Sequence, residues 1–276
     1  MTDLFRRLLR TKQGALGVVI LLVVALICVF GPALAPYSPD HMDYLGRFAA
    51  PSVRHWLGAD QFGRDELSRL FYGARDTVPP ALLATLAGTL AGATVGTLSA
   101  YAGGRWDEAI MRTVDAVLAI PGLLLALLIA STLGAGEETA LLAIAIAFAP
   151  GMARITRSVA LAARQEEYVA AAIARGESGT RIVLAEMLPN VIAPVIVETT
   201  IRVAFAVMLL ATLSFLGLGA QPPSSEWGLL VSDGRAYLHD APWLVLAPGA
   251  AIGITAIGFN LLGDGLRDAL NPRDER

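Results

Sequence analysis

Apolar and polar residues alternate along this chain in long blocks. One apolar run extends from about Gly14 to Leu34, and others cover Val78 to Ala102, Ala109 to Leu133, Ala140 to about Ile155, Val191 to Leu216 and Trp243 to Leu262. Crossing roughly 30 Å of hydrocarbon takes about 20 helical residues, so the blocks predict six membrane-spanning helices. The fourth run is short and is expected to continue as helix into the arginine-rich stretch beyond it. Pro79 and Pro80 suit a helix start, and Pro121 predicts a kink inside the third span. Residues 36–77 are polar and rich in Gly, Pro, Asp and aromatics, with no spanning run. Such backbone must sit outside the hydrocarbon. The expected division is a terminal segment 1–13, spans 14–35, 78–102, 109–133, 140–157, 191–216 and 243–262, a polar loop 158–190, a second polar loop 217–242, and a tail 263–276.

Composition agrees with this pattern. The chain has 276 residues, a mean hydropathy of +0.60 and 16% charged residues, too few charges for a soluble surface. The first run could be a signal peptide cut after Ala33-Leu34-Ala35, but Pro36 would obstruct cleavage, and the run is read as a retained helix. Fourteen of the 21 basic residues fall inside if the N-terminus is cytoplasmic. Six fall outside, five of them in one loop rich in acids, and Arg202 is intramembrane. This bias predicts that both termini and the loop 158–190 are cytoplasmic.

Enzymatic chemistry finds little support. Lys12 is the only lysine, so the chain has no phosphate-binding loop of its own, and neither His-Glu-x-x-His nor Gly-x-Ser-x-Gly occurs. His41, His55 and His239 all fall in loops expected outside, and the lone Cys28 excludes an intrachain disulfide or a cysteine metal cluster. No catalytic, metal-binding or cofactor-binding residue is expected in this chain, and no nucleic-acid partner. Around Asp60, Arg64 and Asp65 the expectation is a self-satisfied surface network.

The most patterned stretch is Glu167 to Asn190, charged and alanine-rich between apolar runs. Tyr168, Ala171, Ala172 and Arg175 share helical spacing, Gly176 suits a helix C-terminus, Ser178 can cap a second helix, and Pro189 marks a boundary before the next run. The prediction is helix, turn, helix at the membrane surface.

Ala171, Ala172, Gly176, Leu188 and Pro189 stand in the register of the EAA loop, Glu-Ala-Ala, three residues, Gly, nine residues, Ile-x-Leu-Pro, and the segment resembles that loop of ABC importer permeases. Ala170 replaces the motif's glutamate and Glu186 its isoleucine. His55 to Arg75 and Leu213 to Gly228 are similar to the dipeptide, oligopeptide and nickel permease group, C-type subunit. The resemblance implies an all-α polytopic membrane protein, a type I importer permease in the inner membrane, with a permease core over 78–270. It also implies partners: a homologous second permease, two cytoplasmic ATPases carrying ATP and Mg²⁺, and an extracytoplasmic solute-binding protein. Residues Glu167, Tyr168, Ala171, Ala172, Gly176, Ser178, Leu188 and Pro189 would then form the loop that docks on an ATPase. Short peptides are the expected cargo, with glutathione-like peptides or chelated nickel as alternatives.

Two further features concern the spans. Gly88, Gly92 and Gly96 recur every fourth residue and form one groove, either for the second permease or for a helix of the same bundle. Glu198 and Arg202 lie one turn apart about midway through the fifth span, where charges pair, face water, or line a solute path. Such a pair also suits an ion-coupled secondary transporter, a competing class.

Overall fold

The computed structural model of the chain describes residues 2–270, so Met1 and the tail residues 271–276, with Arg273 and Arg276, lie outside the described part. Helix α1 (Thr2–Arg10) is followed by α2 (Lys12–Leu34), α3 (Glu66–Ala102), α4 (Gly104–Leu118), α5 (Gly122–Leu133) and α6 (Glu137–Arg164). Then come α7 (Glu167–Ala174), the short α8 (Gly179–Arg181), α9 (Leu188–Phe215), α10 (Trp227–Gly234) and α11 (Trp243–Leu270). Among the described residues, five helical stretches are long and apolar enough to cross a membrane: Lys12–Leu34, Glu66–Ala102, Glu137–Arg164, Gly179–Phe215 and Trp243–Leu270. A sixth span forms if α4 and α5, bent by 84° at Pro121, count as one. The kink expected at Pro121 is therefore a sharp corner.

Several boundaries differ from the sequence reading. The second spanning helix starts at Glu66, not at Val78, because the Asp65 carboxylate caps it, accepting from Ser68 N at 2.8 Å and Ser68 Oγ at 2.7 Å. Pro79 and Pro80 lie inside that helix, so 66–77 is helical rather than irregular. The fourth helix runs on to Arg164, seven residues past the expected end at 157. The last helix extends to Leu270, since Gly265 and Ala269 continue its buried face. There a Cβ on Gly265 would overlap Gly14 at the start of α2.

Packing is led by small residues. The core of the bundle joins Ala81, Ala84, Ala126, Ala140 and Ala143 to Val203, Val207 and Leu210, all buried. Alanine and glycine let helix backbones approach where lipid supplies no hydrophobic drive. The stripe Gly88, Gly92, Gly96 receives α6 of the same chain: a Cβ on Gly88 would stand 2.6 Å from Ala145 O, and one on Gly92 or Gly96 would overlap Ala149 O or Ala153 O. The groove therefore packs within its own bundle and leaves no room for a second permease.

Outside the spans, residues 36–65 fold over the head of α3. Asp60 accepts from Arg64 Nε at 2.6 Å and from Arg69 Nη1 at 3.2 Å, while His55 Nδ1 lies 2.9 Å from Asp65 Oδ1. Asp60, Arg64 and Asp65 are 2%, 7% and 2% exposed, so the network expected at the surface is interior. A buried network of this kind holds only while each charge keeps its partner. The loop after α9 closes the same end. Glu226 caps α10 by accepting from Leu229 N at 2.8 Å, and burial pushes its carboxyl up while backbone donors pull it down.

Gly92→Val is expected to lower thermal stability by about 1 to 3 kcal/mol through overpacking, whereas Gly122→Ala, with nothing within 4 Å of the added carbon, should leave it unchanged. Melting of the purified membrane protein checks both. Equal behaviour of the two variants would remove the groove from the packing argument.

Candidate functional site

Helix α7 begins after Glu166, carries Glu167 in its first turn, and ends in a tight reversal. Gly176 N donates to Ile173 O at 2.9 Å and Glu177 N to Ala172 O at 3.2 Å, the paired bonds of a Schellman turn. Gly176 has φ +74°, a conformation that glycine adopts without strain. Ser178 then accepts from Arg181 N at 3.4 Å and starts the next helix. The helix, turn, helix order expected from sequence is present, with its turn at Gly176 and Ser178.

Pro189 behaves otherwise than expected. It is not a boundary: Gly179–Phe215 is continuous helix, passing through a π-helical segment, Ile182–Met187, just before the proline. Wider π bonding shifts the register and accommodates a residue that has no N–H to donate. Surface element and span are consequently one rod.

The proposed face of α7 also divides. Val169 and Ala172 are buried at 1% and 0%, against Ala100 of α3, Ala160 of α6 and Ile182, Val183, Met187 and Val191 beyond the turn. Glu167, Tyr168, Ala171 and Arg175 face outward, Leu188 is half-buried, and Ile173 and Leu184 are 57% and 59% exposed. Tyr168 Oη accepts from Asn190 Nδ2 at 2.8 Å, tying α7 to the start of α9. Arg175 Nη2 lies 2.7 Å from Glu177 Oε1 and 3.9 Å from Glu186 Oε1, so the glutamate at the motif's isoleucine position joins the charged side of the turn.

Sequence reasoning missed the anchor beneath the turn. Tyr101, at the end of α3, lies against Gly179, where a Cβ would sit 2.9 Å from Tyr101 Cζ. Arg164 Nη1 donates to Ala100 O at 2.8 Å, and Asp107 accepts from Ser99 Oγ and Arg157 Nε, each at 2.6 Å. A tyrosine followed closely by Gly103 and Gly104 at a helix end was the available signal.

Within the bundle, Arg202 Nη2 lies 3.1 Å from Glu198 Oε1, and the side chains are 18% and 24% exposed. The guanidinium stands 5.7 Å from the centre of the Phe148 ring, and a Cβ on Gly151 would come 2.8 Å from Arg202 Nη2. Arg202 is thus packed on α6. Glu198 instead borders a cavity of about 470 Å³ between α6, α9 and α11, with Ile155, Pro194 and Arg267 in its wall. That volume falls in the range of small-ligand pockets. Asp115 and Arg154 form a further, half-exposed pair joining α4 to α6.

Residues 88–275 match the family described as binding-protein-dependent transport system inner membrane component, and residues 1–51 match the N-terminal TM domain of oligopeptide transport permease C. The dipeptide transport system permease protein DppC of Alkalihalophilus pseudofirmus is 41% identical over 98% of this chain and 89% of its own. The probable D,D-dipeptide transport system permease protein DdpC of Escherichia coli (strain K12) is 42% identical, over 92% and 86%. The glutathione transport system permease protein GsiD of Escherichia coli O6:K15:H31 is 39% identical, over 98% and 88%. Among solved structures, the inward-facing MetNI methionine ABC transporter gives a TM-score of 0.60 at 18% identity, covering 74% of this chain and 97% of that one.

If Glu198 and Arg202 neutralise each other, Glu198→Gln and Arg202→Gln should each lower abundance in the membrane, and the double variant should recover most of it. A coupling energy of about 0.5 to 3 kcal/mol is expected from the melts. Strictly additive losses would show that the two side chains act independently.

Proposed function

The chain belongs to the family of binding-protein-dependent transport system inner membrane components, and from that membership we propose that it is the permease subunit carrying short peptides in an ATP-driven importer. The permease role and the inner-membrane location are common to the family matches, and this membership displaces the ion-coupled alternative. Peptide cargo is inferred from the printed names of relatives at 41% and 42% identity. Glutathione is the second reading, favoured by the 39% identical relative named for it.

In this reading the chain pairs with a second, homologous permease, and ATP and Mg²⁺ are held by two ATPase subunits in the cytoplasm. A solute-binding protein delivers cargo from the other side. Both termini and α7 face the cytoplasm, as the distribution of arginine suggests. The observation that carries the coupling role is the build of α7: its buried face is fixed to α3, α6 and α9, while Ala171, Ile173 and the Gly176 turn remain free to meet a partner. A push on α7 passes to α9 through Val169, Ala172 and the Tyr168 to Asn190 bond. The span carrying Glu198 and Arg202 moves with it, and Glu198 borders the solute path at the cavity between α6, α9 and α11.

Gly176→Asp should reach the membrane at near-normal abundance yet lose uptake and solute-stimulated ATP hydrolysis in the assembled transporter, because the side chain strains the φ +74° turn and occupies the docking side. Normal uptake at normal abundance would sink the docking role. Orientation has its own test, in a Cys28→Ala background. Cysteines replacing exposed Ser52 or Gln221 should react with an impermeant thiol reagent added to intact cells, and one replacing Ser178 only after the membrane is opened. Labelling of the Ser178 position in intact cells would invert the topology.

A further inference from the structure

Between α2, α3 and α11 the lipid-facing side of the bundle caves in. The hollow, about 480 Å³, is walled by Val19, Val23 and Ile27 of α2, Phe71 of α3, and Ala251 and Ile254 of α11. Val19, Val23 and Ile254 at its mouth are 56%, 50% and 52% exposed. With about 35 Å of helix in α2, these residues occupy the middle of the membrane's thickness. Thr255 adds one buried hydroxyl without a hydrogen-bond partner, and the remaining walls are apolar. An apolar cavity stays dry, so at this depth it takes hydrocarbon.

A second observation gives the hollow a polar end. Arg75 follows Phe71 by one turn of α3 and is exposed. Its Nε donates to Cys28 O at 3.2 Å and its Nη2 to Val29 O at 3.5 Å, so its head rests on α2 just beyond Ile27. Among the described residues it enters no ion pair. Val29 lies about 9 Å from the midpoint of α2, within the roughly 15 Å half-thickness of the hydrocarbon. A lone cation there is costly until an anion meets it or it reaches the headgroups. Phosphate oxygens suit the guanidinium fork.

We propose that this cleft binds an anionic phospholipid in the leaflet at the Leu34 end of α2, one acyl chain filling the hollow and the phosphate resting on Arg75. The site is independent of the cargo and needs only that α2, α3 and α11 cross the bilayer. It adds a lipid chain to the contacts by which Val24 and Cys28 of α2 already pack with Ala74 and Val78 of α3.

The test uses the assembled transporter in nanodiscs of phosphatidylglycerol and phosphatidylethanolamine, with retained lipid weighed by native mass spectrometry after extraction. Wild type should retain phosphatidylglycerol about fivefold over its share, the effect expected of one arginine near anionic lipid. Arg75→Gln, which leaves the packing intact, should retain lipid without that preference, and Arg75→Lys should keep part of it. Ala251→Phe, which fills the hollow, should retain neither lipid at unchanged helix content. The proposal fails if Arg75→Gln keeps the full preference, if inorganic phosphate displaces the lipid, or if a cysteine at Val23 cross-links to the second permease.

Discussion

The close approach of α3 and α6 along Gly88, Gly92 and Gly96 is the constraint on which the rest of the bundle depends. Both helices outrun the hydrocarbon, α3 by the most, at about 55 Å for 37 residues. Locked together where α3 presents glycine instead of a side chain, they form a post that projects from the membrane at both ends. At one end Asp65 caps α3 and the Asp60, Arg64 and Arg69 network folds the loop 36–65 over it. At the other, Ser99, Asp107, Arg157 and Arg164 bind the two helices and the start of α4. Charged residues thus fasten only the ends, each carboxylate held by a partner, and contact of small residues holds the middle.

Movement needs a second body, and α9 provides it. It shares the alanine core with α3 and α6 through Val203, Val207 and Leu210, yet continues unbroken through the π-helical segment into the short helix beneath the Gly176 turn. Helix α7 sits astride the boundary, its buried face touching the post at Ala100 and Ala160 and the rod at Val183, Met187 and Val191. A load applied to α7 is therefore felt by post and rod together. Arg202, resting on Phe148 and beside Gly151, marks where the rod meets α6 in mid-membrane.

Much of this was legible in the residues, and the failures have physical causes. Block hydropathy found the apolar runs, since the bilayer imposes a length on them, and Gly176 announced its turn because few residues adopt positive φ. Pro79 and Pro189 misled. A proline warns of a lost hydrogen bond, but an aspartate cap fourteen residues before Pro79 had already set the helix start, and a wider π turn just before Pro189 carries the helix past it. The network around Asp60 was recognised as self-satisfied but misplaced, because burial of a loop depends on what folds over it, here the segment ending at Trp243, whose Nε1 donates to Ala59 O. Tyr101 and Arg164 escaped notice since their partners are backbone atoms and a glycine remote in sequence.

The corner at Pro121 makes one crossing out of two short arms set at 84°. Helix α5 has 12 residues, about 18 Å of rise, and three residues separate it from α4, whose last turn is closed at Asp115 O by Ala119 N and at Val117 O by Ile120 N. Ile120, Leu123 and Leu124 at the corner are 42%, 43% and 56% exposed. A surface that covers this corner therefore also takes apolar side chains out of contact with lipid along the whole short arm of α5.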